Sequence, residues 1–290
     1  MIKLLMLGST GLIGSNLLKY FSNQKNYICY GAVRNNSDKE KLKYLKNVKL
    51  FKIDFSKKKD IKNVFNKIKP NLVINCLGII KHITHKNKLS EIIRTNSLLP
   101  HYFAEISSHQ KKTRLIHFST DCVFSGAKGN YKESDLADAK DLYGKSKLLG
   151  EISYHNTLTL RTSVIGHEIG TSHNLLNWFL KQKKPVTGFK NAIFSGLTTL
   201  EIAKILDKYI IPNKKIKGLY HLSGKKINKY DLLNIIKKVY KKKITIKLNY
   251  NIKIDRSLNS KALKKITGFK PGDWHKNVQE MLEFSNKKQL

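Results

Sequence analysis

The stretch Met6–Leu18, "MLGSTGLIGSNLL", decides the fold. It overlaps the end of an apolar run, Ile2–Leu7, and opens a helical pattern that extends from Leu12 to Ser22. Gly8, Gly11 and Gly14 stand at the junction. A Gly-x-x-Gly-x-x-Gly turn is weak evidence alone, but between a strand and a helix it predicts a dinucleotide site. The first glycine permits a tight turn, the second lets a pyrophosphate approach the backbone, and the third lets helix and strand pack closely. The helix amino terminus offers N–H groups and a positive dipole end to the same phosphates. Thr10, Leu12 and Ile13 would then border the cofactor.

Outward from this turn, short runs rich in Ile, Leu and Val recur at Tyr27–Val33, Val48–Ile53, Asn71–Leu77, Arg114–Ser119 and Thr157–Ser163. Helical patterns lie between them at Lys57–Lys67, Ser90–Ser108 and Leu142–Tyr154. Such alternation predicts an α/β protein: a Rossmann-type, doubly wound parallel sheet with helices on both faces. After Ile165 the rhythm changes. Helices are expected at Asn174–Gln182, Thr198–Tyr209, Lys229–Tyr240, Ser260–Ile266 and Trp274–Ser285, with an irregular stretch "PVTGFKNAIFSG" between the first two. The strand pattern Gly218–Gly224 is expected to return to the sheet. The predicted division is a nucleotide-binding domain over 1–163 and about 197–225, with a smaller substrate-binding lobe over about 164–196 and 226–290.

The second strand runs into "GAVRNNSDK", where a cofactor with a free ribose 2′-hydroxyl usually meets a carboxylate. Arg34 stands there instead, suited to a 2′-phosphate. NADPH is therefore expected, with NADH as the alternative. "IDF" places Asp54 and Phe55 after the third strand, where Asp54 could accept from the adenine amine. "NCLG" would carry Cys76, Leu77 and Gly78 past the nicotinamide ribose.

Composition excludes several classes. No apolar run approaches the ~18 residues of a membrane span, and the apolar amino-terminal run is too short for a signal peptide. Three cysteines, Cys29, Cys76 and Cys122, lack metal spacing, as do His82, His85, His117 and His167. No metal site is expected, and a reduced, cytoplasmic setting is. The net charge of +36 invites a nucleic-acid reading, but only five of the 56 basic residues are arginine and the lysines are spread throughout. Arginine is the better base reader and phosphate grip, so a solvated lysine coat is expected and no nucleic-acid partner.

"DLYGKSKLLGE" (Asp141–Glu151) puts Tyr143 and Lys147 on one helical face, one turn apart. Ketone reduction leaves an alkoxide that needs a proton and hydrogen bonds as charge builds on oxygen. A phenol with pKa near 10 is a sluggish donor, and a nearby ammonium is expected to lower that value. Thr120, at the end of the fifth strand, can bond the same oxygen. Lys145 and Glu151 read as surface residues.

The order of the Gly-rich turn, "IDF", "NCLG", "FSTDCVFSG", "YGKSKLLGE" and "LRTSVIG" resembles the extended short-chain dehydrogenase/reductase family over essentially the whole chain. Within it the chain is most similar to the dTDP-4-dehydrorhamnose reductase branch. "GLYHLSG" and "DRSLNSKALKKITGFKPGDWHKNVQEML" agree with that branch. The resemblance implies a catalytic triad of Thr120, Tyr143 and Lys147, with the last two also touching the cofactor. It implies substrate contacts from Asp121, Val123, Phe124, Val164 and Arg256. Asp121 could equally cap the following turn. A homodimer is also implied.

Sugar-nucleotide dehydratases of this family carry Asp-Glu after the threonine. Here Asp121 is followed by Cys122, which cannot expel water as an acid. Epimerases usually keep an acidic residue after the second strand. The favoured reading is NADPH-dependent reduction of the 4-keto group of a nucleotide-linked 6-deoxyhexose in surface polysaccharide precursor synthesis. An epimerase and a non-catalytic NADP-binding regulatory subunit are the alternatives. "RTSV" with Val164 replaces the branch's "RTSW", and "NAIFSGLTT" (Asn191–Thr199) replaces "DQxGxPT". The substrate is thus expected to be either dTDP-4-dehydro-L-rhamnose or a UDP-linked 2-acetamido-2,6-dideoxy-4-hexulose.

Overall fold

Leu4, Leu5, Met6 and Leu7 are fully buried at the end of the first strand, as a continuous apolar run in a central parallel strand demands. The computed structural model describes residues 1–81, 88–110 and 112–287. His82 and His85 lie outside the described residues. The first half alternates strand with helix, two helical segments following β4: β1 (Ile2–Leu7), α1 (Leu12–Phe21), β2 (Tyr27–Val33), α2 (Asn36–Glu40), β3 (Val48–Lys52), α3 (Lys58–Ile68), β4 (Leu72–Asn75), α4 (Leu89–Ile93), α5 (Leu99–Ser108), β5 (Arg114–Thr120), α6 (Leu142–Leu149) and β6 (Thr157–Thr162). The second half follows as β7 (Val164–Ile165), α7 (Leu175–Lys181), β8 (Val186–Phe189), β9 (Ala192–Phe194), β10 (Leu197–Thr198), α8 (Thr199–Ile205), β11 (Gly218–His221), β12 (Ile227–Asn228), α9 (Lys229–Val239), β13 (Ile246–Asn249), β14 (Ile254–Asp255), α10 (Lys261–Thr267) and α11 (Trp274–Asn286).

Seven strands form one sheet in the order β11-β6-β5-β4-β1-β2-β3. Every neighbouring pair in it is parallel. The chain therefore winds outward in both directions from between β1 and β4, the switch point at which doubly wound sheets bind ligands. Alternation along β1 divides its side chains between two cores. Leu4 and Met6 join Leu17, Leu18 and Phe21 of α1 and Ile202 of α8, whereas Leu5 and Leu7 join Phe65 of α3 and Phe103 of α5.

A third core holds Phe179, Phe194, Leu232, Ile236, Trp274 and Val278. It is framed by small pairings of β8 with β13, and of β9 with β12 and β14. The stretch expected to be irregular therefore contains two strands. Their partners arrive 33 to 62 residues later, so no local pattern marks them. Leu263 of α10 and Phe269 just after it pack into the α1 and α8 core rather than this one.

Helix α6 stops at Leu149, five residues short of the expected end, with Gly150 as its C-cap. The helix expected over Ser90–Ser108 is interrupted by a π-turn at Arg94–Leu98. A side chain at Gly150 would come within 1.9 Å of the Asn96 carbonyl in that turn. Among the described residues, no helix is long and apolar enough to cross a membrane.

Candidate active site

Gly8 adopts φ +80°, and a Cβ there would lie 2.9 Å from the backbone of Cys76 and Leu77. At Gly14 a Cβ would fall 2.2 Å from the Gly8 carbonyl oxygen. Both glycines are thus required by the fold itself. Gly11 differs. It is exposed, and a Cβ there would meet only the Gly8 oxygen, at 3.4 Å. The space in front of it opens outward beside the amino terminus of α1, which has no acidic residue in its first turn. An exposed, smooth backbone cradle at a positive helix end fits the pyrophosphate of a dinucleotide. Thr10, Leu12 and Ile13 are half-buried around it.

Arg34 follows β2, with its side chain 71% exposed and Nε donating to Asp38 at 3.3 Å. The expectation that no carboxylate stands near this strand end needs correcting. Asp38 is buried in α2, a short helix capped by Asn35, and is held below the ordinary carboxylate range by hydrogen bonds and charge from Lys41 and Arg34, against its desolvation. Both cations are already committed to it. Asp54 is exposed after β3, and its Oδ1 accepts from Ser56 N at 2.9 Å and Ser56 Oγ at 2.7 Å. Phe55 packs edge-on against Phe103, with ring centroids 6.2 Å apart. Cys76, Leu77 and Gly78 leave the end of β4 directly against Gly8.

Thr120 ends β5, and its Oγ1 accepts from Cys122 N at 3.1 Å, capping the short 3-10 turn Asp121–Val123. The cap of that turn is therefore Thr120 rather than Asp121. The Thr120 hydroxyl donates to Asp121 Oδ1 at 3.2 Å and lies near enough to the Tyr143 phenol to favour its charged form. Tyr143 opens α6, which Asp141 caps by accepting from Gly144 N at 2.8 Å. One turn on, Lys147 is buried and donates to the Phe118 carbonyl at 2.7 Å. The structure thus brings the three expected catalytic residues to one place at the carboxyl edge of the sheet.

The expected lowering of the phenol by Lys147 is not what this arrangement does. Burial pushes Tyr143 up, the neighbouring Cys122 adds to this, and the nearby Thr120 hydroxyl acts the other way. The lysine turns its Nζ to a carbonyl, and burial holds its own pKa down to about 8, against the attraction of Glu151. Tyr143 is consequently a firmly protonated phenol at neutral pH.

Of the expected substrate residues, Asp121 is buried and faces Lys229 and Arg256, which favour its charged form against the desolvation that raises its pKa. Arg256 donates from Nε to the Phe124 carbonyl at 2.9 Å and borders a crevice of 280 Å³ with Cys122, Ser125, Ala139, Lys140 and Asp141. The Val123 and Phe124 side chains are fully buried. They form a small core with Tyr131 and Leu258, Phe124 stacking on Tyr131 at 4.1 Å, and of the two only Phe124 also lines the crevice. Val164 packs against the main core from β7 and does not border this crevice.

Three residues escaped the sequence reading. Glu151, expected at the surface, has a side chain 8% exposed, ion-paired to Arg161 at 2.7 Å and accepting from Ser119 Oγ at 2.6 Å. Its place in "YGKSKLLGE", one turn beyond the lysine, was the available signal. Asn96 in the π-turn accepts from Ile79 N at 2.8 Å and donates to Ser146 Oγ at 3.0 Å, fixing α6 against the chain after β4. Lys229 begins α9 with its Nζ 4.0 Å from the Phe194 ring centroid. A larger groove of 910 Å³ on the lobe is bordered by six lysines and shares no residue with this site.

The doubly wound sheet, the Gly-rich turn and the Thr-Tyr-Lys cluster define a protein of the extended short-chain dehydrogenase/reductase type. Within that type, the chain belongs to the RmlD substrate binding domain family, whose profile matches residues 2–286. It is 25% identical over 234 residues to the dTDP-4-dehydrorhamnose reductase of Aggregatibacter actinomycetemcomitans, covering 77% of this chain and 74% of that one. It is 27% identical over 149 residues to the methionine adenosyltransferase 2 subunit beta of Danio rerio, covering 51% and 42%. The crystal structure of dTDP-4-dehydrorhamnose reductase from Bacillus anthracis in complex with NADP superposes with a TM-score of 0.79 at 16% identity, covering 99% of this chain and all of that one.

Proposed function

We propose that the protein reduces the 4-keto group of a nucleotide-linked 6-deoxyhexose, with NADPH as the reductant. The observation that carries this is the meeting of Thr120, Tyr143 and Lys147 at the carboxyl edge of the parallel sheet, the edge from which the Gly8–Gly14 turn leaves β1. A bound nicotinamide supplies the hydride. Tyr143, kept protonated by burial, donates its phenolic proton to the oxygen on which charge builds. Thr120 orients the phenol and shares the developing charge. Arg256 and Lys229 are set to hold the anionic diphosphate arm, since arginine forks and ammonium groups both favour phosphate oxygens. Arg34 would hold a 2′-phosphate with the exposed part of its guanidinium. The relatives named as dTDP-4-dehydrorhamnose reductases support this substrate class. The choice between dTDP-4-dehydro-L-rhamnose and a UDP-linked 2-acetamido sugar rests on the departures at Val164 and Asn191–Thr199.

The test is purified protein with NADPH and each of the two nucleotide sugars, alongside Tyr143→Phe. Reduction is expected to fall by about 10²–10⁴ in the variant, with NADPH affinity kept. The likeness to a methionine adenosyltransferase beta subunit favours a second reading, a cofactor-binding regulatory subunit. In that case neither sugar is turned over by the parent protein, and Tyr143→Phe changes nothing.

A further inference from the structure

Beneath Lys147 lies a line of buried polar groups that the proposed chemistry does not use. Asn75 ends β4, His117 is its register partner in β5, and both are fully buried. The Asn75 side-chain oxygen accepts from Leu77 N at 3.1 Å, so its amide nitrogen faces the histidine. That nitrogen sits 3.0 Å from His117 Nδ1. Since Nδ1 must accept from the amide, a neutral ring carries its proton on Nε2. Nε2 in turn lies 3.5 Å from Lys147 Nζ.

We propose that His117 is a positioning residue for Lys147: locked by Asn75 in the Nε2–H tautomer, it aims a donor at the lysine nitrogen and biases it toward the neutral amine. A neutral amine has one lone pair to accept this N–H while still donating to the Phe118 carbonyl, whereas an ammonium has no acceptor to offer. The ring is kept neutral by full burial first, then by Lys147 and by His101 from α5. The other groups facing Lys147 are Glu151, beyond the end of α6, and Cys76, after β4, both favouring the charged form. Asn75 also anchors Leu77, so the same line ties the lysine to the chain segment expected beside the nicotinamide ribose.

This inference rests on the reductase reading for its kinetic consequence but not for its direct test. Long-range ¹H–¹⁵N spectra of the full-length, ¹⁵N-histidine-labelled protein, without cofactor, report the tautomer of each of the ten histidines. One ring is expected as Nε2–H and non-titrating at neutral pH. It should vanish in His117→Asn, which keeps a partner for Asn75 but removes the donor toward Lys147. It should switch to Nδ1–H in Asn75→Asp, whose carboxylate can only accept. An Nδ1–H ring in the parent protein overturns the proposal. In kinetics, reduction that draws on the positive charge of the Lys147 ammonium beside the forming alkoxide fails as pH rises through the lysine pKa, so removing a donor that disfavours the ammonium moves this alkaline limb upward. Both variants should shift that limb by about half a pH unit or more. If no sugar is reduced, the Lys147 Nζ resonance, identified by its loss in Lys147→Met, should show the same shift. An unmoved limb or resonance also overturns the proposal.

Discussion

Gly11 and Gly14 share a motif and a spacing, yet they answer to different demands. Gly14 has the Gly8 oxygen 2.2 Å from where a Cβ would go, so Gly14→Ala must push β1 and α1 apart. Its thermal or urea unfolding should show a loss of more than about 3 kcal/mol. Gly11 faces outward, and Gly11→Ala should cost only about 1 kcal/mol as an altered N-cap. Its effect should appear in NADPH titration as at least a tenfold weaker Kd. Equal stability losses in the two variants would refute this division of labour. The sequence could show the motif but could not say which glycine serves packing and which serves a ligand. Only the position of neighbouring backbone separates them. The same holds for Val123, which the resemblance sets beside substrate and the fold turns into a small core.

At the scale of elements, α6 was legible and its supports were not. The Tyr143 and Lys147 spacing is local, so a helix puts both on one face whatever surrounds it. The π-turn at Arg94–Leu98, the early stop at Gly150 and the buried Glu151 depend on packing between elements. Glu151 sits between Arg161 of β6 and Ser119 of β5, below the lysine it attracts. Removing one partner of a buried pair strands the other, typically at about 3–5 kcal/mol. Glu151→Gln should therefore lower the unfolding midpoint steeply, as followed by circular dichroism. It should also move the alkaline limb of the reduction downward, because Lys147 loses a charge that favours its ammonium. A surface carboxylate, as first expected, would change neither measurement.

The whole molecule joins the sheet and the lobe through shared helices. Helix α8 feeds the main core through Ile202, Ala203 and Ile205. Its Glu201 accepts from Gly272 N at 2.9 Å and Asn277 Nδ2 at 2.7 Å, groups at and before α11. Trp274 on α11 is buried in the third core and Trp178 lies on α7, which packs into that core through Leu176 and Phe179, so their fluorescence reports the surroundings of that core, while far-UV circular dichroism reports the entire chain. Coincident urea transitions by the two probes are expected for one cooperative unit. A lobe that melts first would separate them.

What the sequence determined by itself was whatever short-range pattern controls: the β-α alternation, the glycine turn at the end of β1, and the tyrosine and lysine on one turn of α6. These follow from steric and periodic rules that act over a few residues. The tertiary structure alone decided which way Lys147 turns, why Tyr143 stays protonated, that Asp38 and Glu151 are buried partners of cations, and where β8 and β9 find their strands. Each of those depends on groups far apart in the chain. Burial and electrostatic pairing exist only once the sheet and lobe have brought those groups together.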